Sequence, residues 1–228
     1  MSVCTYCGRS NQESALYCHE CGTELATESS AASVAKPPGA SLTLPAPTLV
    51  DPAALAPAFS FQDGFHRADW GFIHRWIKSH ISPEDLEQAW NEAALIWVTK
   101  LREDLGGEYR ILQSPQTVLL CDRPLETVRW LLDYAGRAAV AVKDYLDRVA
   151  YRGGLGKNVL FIFSDEDDYY QYLAPHLSEG EQAASGGVCI HSGYIHIAFP
   201  WRDDFDTANA IMHELTHACL AHLPLPLW

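Results

Sequence analysis

The segment His213-Glu214-Leu215-Thr216-His217 places two histidines four residues apart, with a glutamate directly after the first of them. Residues four apart lie on the same face of a helix, so both imidazoles can reach one metal ion. Glu214 would then lie beside a water that the metal activates, where its carboxylate can take a proton and pass it to a leaving amine. The spacing therefore predicts zinc ligands at His213 and His217 and a catalytic carboxylate at Glu214.

The alternative interpretation of this motif is a pair of core histidines that hydrogen bonds within the protein satisfy. Apolar residues such as Ile211 and Leu215 recur at helical spacing and indicate a largely buried helix. Two histidines and a glutamate are costly to bury in such a helix unless they have partners. A shared metal ion would be such a partner, and we favour the metal site.

A second metal motif lies at the N-terminus, where two CxxC pairs are each followed by a glycine. The four cysteines are Cys4, Cys7, Cys18 and Cys21. Zinc binds four thiolates in a tetrahedron, and each CxxC turn directs two of them at one ion. We interpret residues 1–25 as a zinc ribbon whose metal supplies most of its folding free energy, with a redox dithiol pair as the alternative. Its excess of glutamate over arginine favours a structural or protein-docking role over nucleic-acid binding.

The C-terminal sequence AIMHELTHACLAHLPLPLW resembles the active-site helix and following turn of gluzincin-type metallopeptidases, the thermolysin-like group. The resemblance covers residues 105–228, HELTH is its specific part, and the hairpin before the helix fits the edge strand of that fold. It implies a zincin-like lobe, in which a mixed sheet with an edge hairpin packs on the active-site helix. It also implies that His213 and His217 bind catalytic zinc and that Glu214 is the general base. A peptide or protein substrate would be held by β-strand addition along the hairpin 187–199.

The resemblance leaves the third zinc ligand unassigned. The family takes a glutamate from a helix just after this turn, whereas the present sequence ends at Trp228, and catalytic zinc needs three protein ligands and an open position. His222 lies five residues after His217, about 140° round the helix, and does not complete the site simply. His191 and His196 on the hairpin are further candidates. We expect a truncated chain that retains this metal weakly and has little activity.

The organisation of the chain changes twice. Residues 26–58 are rich in Ala, Pro and Ser and contain no aromatic side chain, which predicts a flexible, disordered linker. Most aromatic residues follow, so we expect the folded, metallopeptidase-like domain over residues 59–228.

Hydrophobic periodicity in this domain predicts an α+β fold. Its predicted helices are 67–79, 82–105, 124–151, 165–177 and 206–222. Its predicted strands are 109–121, 158–164, 187–191 and 194–199. The last two strands are expected to form a hairpin with a two-residue turn at Ser192-Gly193.

Composition restricts the partners and the compartment. The formal net charge of −13 repels nucleic-acid phosphates and anionic lipid, so we expect neither nucleic acid nor membrane as a partner. Three of the seven cysteines, Cys121, Cys189 and Cys219, lie outside the ribbon in apolar stretches and are interpreted as small buried hydrophobes. An odd number of cysteines, no signal-peptide pattern and no apolar run near ~20 residues predict a cytoplasmic protein.

Two functions from different classes are consistent with these motifs. The first is a zinc-dependent peptidase in which metal-activated water hydrolyses peptide bonds. The second is a non-catalytic, peptidase-like scaffold that uses the ribbon to dock a protein partner. A third possibility is another hydrolase with the same metal apparatus, since no Ser or Cys nucleophile arrangement stands out.

Overall fold

The computed structural model describes five parts of the chain, which are residues 2–3, 10–12, 47–146, 156–176 and 186–221. The chain divides into two units, Met1–Pro37 and Pro38–Trp228. Each unit is described by itself below.

The first unit contains two short strands, β1 (Ser2–Val3) and β2 (Ser10–Asn11). They pair in antiparallel register, with Val3 opposite Ser10. They flank the segment of the sequence that carries the first CxxC pair. Outside the described residues lie the predicted ribbon ligands Cys4, Cys7, Cys18 and Cys21. The zinc ribbon therefore remains a prediction.

The predicted linker, 26–58, is described from residue 47 onward, and this end of it is folded. A bend is followed by a short helix, α1 (Pro52–Leu55), and a 3₁₀ turn. Val50 and Leu55 are fully buried among side chains of the next two helices. The predicted boundary at residue 58 is thus too late, because a segment without aromatic residues can still be fixed by a surface that the rest of the domain provides.

A hairpin that the sequence analysis did not predict comes next. Strand β3 (Phe59–Gln62) pairs antiparallel with β4 (Phe65–Ala68). The two residues between them, Asp63 and Gly64, have φ angles of 48° and 78°. Positive φ at both positions defines the type of two-residue turn that matches the twist of the strands, and Asp-Gly is its common sequence.

Two helices, α2 (Trp70–His80) and α3 (Leu86–Leu105), follow the hairpin and agree with the predicted helices. Asp69 starts α2 by accepting a hydrogen bond from the Phe72 N–H at 2.9 Å. The buried residues shared by the two helices are Ile73, Ile77, Ala89 and Ala93. Bulky residues of α2 thus pack on alanines of α3.

A mixed five-stranded sheet forms the centre of the second unit. In chain order its strands are β5 (Arg110–Gln113), β6 (Thr117–Cys121), β7 (Asn158–Phe163), β8 (Val188–Ile190) and β9 (His196–Pro200). In space the order is β5-β6-β7-β9-β8. The inner strands β6, β7 and β9 are parallel, whereas β5 and β8 are antiparallel to their neighbours at the two edges. The described residues also form the helices α4 (Leu125–Leu146), α5 (Glu166–Leu173) and α6 (Asp204–Leu220).

Both faces of the sheet are covered, and β7 shows why. Phe161 and its alternate neighbours contact α3 and α5, whereas Leu160 and Ile162 contact α4 and α6. Successive residues of a strand point to opposite faces, so a strand covered on both sides is apolar throughout. The continuous apolar run 158–164 therefore predicted the buried strand.

The hairpin of β8 and β9 exists as predicted at the edge of the sheet, but its turn is longer. Ile190 pairs with His196, so five residues separate the strands and the predicted two-residue turn at Ser192-Gly193 is wrong. The reason is Tyr194, which is buried and donates its hydroxyl to the Lys157 carbonyl at 2.6 Å. Tyr194 therefore anchors the loop instead of continuing the strand.

The coarse fold prediction is confirmed, since the described part of the second unit is α+β with a mixed sheet and an edge hairpin. The last predicted helix also agrees, with α6 ending at Leu220. Within the described residues, no helix combines the length and apolar character that crossing a membrane requires.

Candidate metal site

Helix α6 follows β9 and carries the predicted zinc ligands. Asp203 caps the helix by accepting a hydrogen bond at 2.8 Å from the backbone N–H three residues later. Ile211 and Leu215 are fully buried against α4 and the sheet. This packing fixes the rotation of the helix and leaves His213 and His217 exposed.

The two imidazoles face each other one helical turn apart. Nε2 of His213 lies 3.0 Å from Nε2 of His217, and the ring centroids are 4.7 Å apart. The side chain of His213 is 70% exposed. The alternative interpretation of satisfied core histidines is therefore wrong for this pair, because neither ring is buried.

The donor atoms of this pair fit one zinc ion. Nitrogens bound to tetrahedral zinc at about 2.05 Å lie about 3.3 Å from each other, close to the separation seen here. Together with Glu214, their ligand atoms all lie within 4.8 Å of one another. Two neutral imidazoles can also share a hydrogen bond at this distance, so the contact is compatible with a metal without requiring one.

Glu214 lies beside the pair but is buried, with only 7% of its surface exposed. Its Oε1 is 4.0 Å from Nε2 of His213. Burial raises the pKa of Glu214, and the two imidazoles and a backbone hydrogen bond from Cys189 offset this only in part. The site thus combines two exposed nitrogen donors with a carboxylate that is shielded from bulk water.

The backbone just before and within β8 forms the wall against which Glu214 packs. A Cβ at Gly187 would lie 2.5 Å from Cδ1 of Phe199 and 3.2 Å from Cγ of Glu214. Only glycine fits there without displacement of the Phe199 ring or the Glu214 side chain. The contribution of Gly187 was not predicted, although the Gly-Gly pair before the strand was its signal in the sequence.

His196 does not serve as a third ligand. It is fully buried on β9, where Nδ1 lies 2.7 Å from the Tyr194 carbonyl and Nε2 lies 2.7 Å from the Tyr172 hydroxyl. The carbonyl can only accept, so Nδ1 donates and Nε2 accepts from Tyr172. Burial lowers the pKa of His196 to about 3, so the ring is neutral and both nitrogens are engaged.

His191 follows β8 and lies in the electrostatic environment of His217. Burial lowers the pKa of His191, and His217 lowers it further. It is not a member of the group whose ligand atoms lie within 4.8 Å, which among the described residues has three members. His222 lies outside the described residues. The third ligand therefore stays unassigned.

The cysteines outside the ribbon differ in burial. Cys121 is fully buried, as predicted, whereas Cys189 and Cys219 are half-buried. Burial raises the pKa of the Cys189 thiol to about 12, with added contributions from Glu214 and Cys219. Cys189 is therefore a protonated thiol at neutral pH in the metal-free chain.

The arrangement can bind a metal cation through two histidines and hold a carboxylate beside it, under the edge strand of the sheet. Comparisons of the chain with models of protein families, with curated proteins and with solved structures find no match.

Proposed function

We propose that the second unit is a zinc-dependent hydrolase of peptide bonds, with the metal bound at His213 and His217. The proposal rests on one observation: two exposed Nε2 atoms lie 3.0 Å apart on α6 beside the buried carboxylate of Glu214. The resemblance of HELTH to the gluzincin-type motif supports it, as does the zincin-like order of edge hairpin and then helix.

Each residue of the motif would have a separate role. His213 and His217 hold the metal through their Nε2 atoms. Zinc at this position supplies Lewis acidity, which polarises a peptide carbonyl and lowers the pKa of an adjacent water. Glu214 accepts the proton of that water at a carboxylate oxygen and donates it to the leaving amine. Packing against Gly187 keeps the carboxylate in one orientation.

The edge strand β8 would hold the substrate. It pairs with β9 on one side, and among the described strands none pairs with its other side. An extended peptide can therefore add to β8 through backbone hydrogen bonds, with its side chains alternating between the two faces. The substrate would be a peptide or protein segment along residues 187–199.

We also propose a second, structural zinc ion in the first unit, bound by the two CxxC pairs. The spacing of the cysteines supports this, and β1 and β2 flank the first pair. A metal-dependent module of this size is suited to docking a protein partner, because it needs no hydrophobic core of its own.

A non-catalytic scaffold is the second candidate function. It is favoured by the number of imidazoles, since two of them face the site among the described residues and a catalytic zinc needs three protein ligands. Under this alternative, β8 would still bind a peptide but no hydrolysis would follow.

Zinc content separates the two sites. Equilibrium dialysis followed by metal analysis should find two ions per chain. Replacing the four ribbon cysteines with serine should remove one ion, and the double variant His213→Ala/His217→Ala should remove the other. One ion in the unchanged protein, lost with the cysteines, would contradict the metal site on α6.

Hydrolysis separates enzyme from scaffold. The zinc-loaded chain is incubated with a mixed peptide library, and mass spectrometry follows new termini with and without a chelator. Glu214→Gln should lower the rate by about 10²–10⁴-fold, whereas Glu87→Gln, an exposed position on α3, is the matched control. Equal rates for the unchanged chain, the chelated chain and Glu214→Gln would rule out the peptidase and leave the scaffold.

A further inference from the structure

A cavity of about 330 Å³ lies on the opposite face of the sheet from α6. It is bordered by the junction of β4 and α2, by α3, by the end of α5 and by the loop after β8. The lining residues that matter for its chemistry are Arg67, Trp70, Trp97, His176, Ser192 and His196. Its volume is at the lower end of the range for small-molecule sites.

Arg67 gives the cavity a positive charge. Its Nη1 donates to the Tyr172 carbonyl at 2.9 Å and its Nη2 donates weakly to the Gln171 carbonyl at 3.4 Å. A guanidinium has five N–H donors, so several have no acceptor among the described residues, and Nε is one of them. Within the described residues, no carboxylate is close enough to form an ion pair with Arg67.

Carboxylates outside the lining offset that charge only in part, since burial lowers the pKa of Arg67 more than Asp63 and Asp104 raise it. Asp69 also borders the cavity, but it is exposed to solvent and caps α2 through the Phe72 N–H. Water screens the field of an exposed carboxylate. Burial and Arg67 both lower the pKa of His176, so its ring is neutral at pH 7. The guanidinium is half-buried and is held over the Tyr172 ring at 4.8 Å.

Indole rings form the apolar part of the wall. Trp70 and Trp97 meet edge to face with centroids 5.3 Å apart. The loop after β8 lies directly on Trp70, since a Cβ at Gly193 would be 2.3 Å from Cδ1 of that ring. Such surfaces bind flat, apolar groups well because aromatic rings offer large contact areas at low entropy cost.

The polar groups deepest in the lining are already paired with each other. His196 and Tyr172 share a hydrogen bond at 2.7 Å, and the second nitrogen of His196 faces a backbone carbonyl. Nearer the loop, Ser192 and His176 form a longer contact of 3.2 Å between Oγ and Nδ1. Selection of a ligand therefore falls to Arg67, with Ser192 as a second donor.

We propose that this cavity is a binding site for a small carboxylate that carries an aromatic or similarly flat apolar body. The carboxylate would pair with the unused donors of Arg67, and the apolar body would lie against the half-buried Trp70, with the buried Trp97 behind it. A guanidinium suits a planar carboxylate because its parallel N–H groups match the two oxygens. The site uses no residue of α6, but Ser192 and His196 belong to the hairpin 187–199 along which the proposed substrate would lie.

Three aromatic probes of similar size and different charge, benzoate, benzamide and benzylamine, test the proposal. Calorimetric titration of the full chain should give saturable binding of benzoate with a Kd of about 1 mM or lower. Benzamide should bind at least about tenfold more weakly, because it lacks the charge-assisted hydrogen bond, and benzylamine should not bind. This series needs no variant. Equal binding of the three probes, tighter binding of benzylamine or no saturation with benzoate would overturn the proposal.

Substituted variants of the chain test whether benzoate binds in this cavity. Arg67→Met should remove the preference for benzoate over benzamide, whereas Arg129→Met on the exposed face of α4 should keep it. Because carboxylates also bind zinc, the titration is repeated with His213→Ala/His217→Ala, in which benzoate binding should be unchanged. Loss of binding in that double variant, or an unchanged preference in Arg67→Met, would place the carboxylate elsewhere and refute the cavity as its site.

Discussion

Glu92 on α3 and Glu214 on α6 are buried to nearly the same extent, at 8% and 7% exposed, yet their environments act in opposite directions. Glu92 accepts four hydrogen bonds, from the Thr48 hydroxyl, the Leu49 and Val50 N–H groups and the Gln88 amide. Burial by itself raises the pKa of Glu92, but these bonds outweigh it and the pKa is lowered. For Glu214 burial prevails and the pKa is raised.

The difference shows that saturation by donors marks a structural carboxylate, while stronger desolvation adds to the raised pKa of Glu214. Each oxygen of Glu92 accepts two hydrogen bonds, and three of these four bonds hold residues 48–50 on α3. Glu214 has a backbone bond from Cys189 and two imidazoles nearby, which leaves its oxygens with acceptor capacity facing the candidate metal site.

Replacing each carboxylate by its amide should give opposite results, and this is the largest expected effect. Glu214→Gln should lower peptide hydrolysis by about 10²–10⁴-fold and change the free energy of unfolding by less than about 1 kcal/mol. Glu92→Gln should leave hydrolysis intact and cost about 2–4 kcal/mol, because an amide NH₂ would face hydrogen-bond donors. Urea denaturation and peptide assays on both variants make the comparison. Equal losses of unfolding free energy in the two variants would contradict the expected difference.

Gly187→Ala tests whether the wall of β8 keeps Glu214 in place. The added Cβ meets Phe199 and Glu214, so we expect a loss of about 1–3 kcal/mol in unfolding free energy together with reduced zinc-dependent hydrolysis. Gly136→Ala is the control, since a Cβ there meets nothing within 4 Å. In the interior of α4 it should stabilise the protein by about 0.5–1 kcal/mol. Normal hydrolysis in Gly187→Ala would show that the wall has no role in catalysis.

Acid should weaken the hydrogen bonds that attach residues 48–50 to Glu92. Its pKa is lower in the folded than in the unfolded chain, where a glutamate titrates near about 4.3. The stability that it contributes is therefore present above that pH and is lost as the pH falls through the folded value. Denaturation curves from pH 7 to pH 3 should show this loss, smaller than that of the substitution, and Glu92→Gln should lack this component. The same pH slope in the variant would mean that another group is responsible.

Removing one donor of Glu92 should have the smallest effect. Thr48→Val deletes the hydroxyl that bonds Oε1 at 3.0 Å and should cost about 1 kcal/mol. Ser60→Ala, at an exposed position of β3, serves as the control and should stay within about 0.5 kcal/mol. A loss in Thr48→Val no larger than in the control would mean that the remaining bonds already saturate the carboxylate.

The features that the sequence predicted are those encoded by local periodicity. The apolar run of β7, the helical spacing in α2 and the His213–His217 pair each depend on residues within one element. The Asp63-Gly64 turn was also locally encoded and was missed, although it is a common hairpin signal.

The features that could not be predicted depend on contacts between distant segments. Glu92 meets Thr48 across 44 positions of the chain, and nothing in the linker composition indicates that contact. Tyr194 turns inward because it reaches the Lys157 carbonyl, which lies 37 residues away. The cavity around Arg67 is likewise assembled from four separate segments. Residue spacing within one segment gives no information about contacts between distant segments.

The bonds between Glu92 and residues 48–50 determine the smallest fragment that can fold. A recombinant fragment cut at the change in composition, starting with Phe59, would keep all five strands of the central sheet and helices α2 to α6. It would nevertheless bury an ionised carboxylate without three of its four donors and uncover the apolar groove that Val50 and Leu55 fill. Trimming for expression or crystallisation should therefore stop upstream of Thr48, and a protease that cuts between Val50 and Phe59 should release a destabilised, aggregation-prone product.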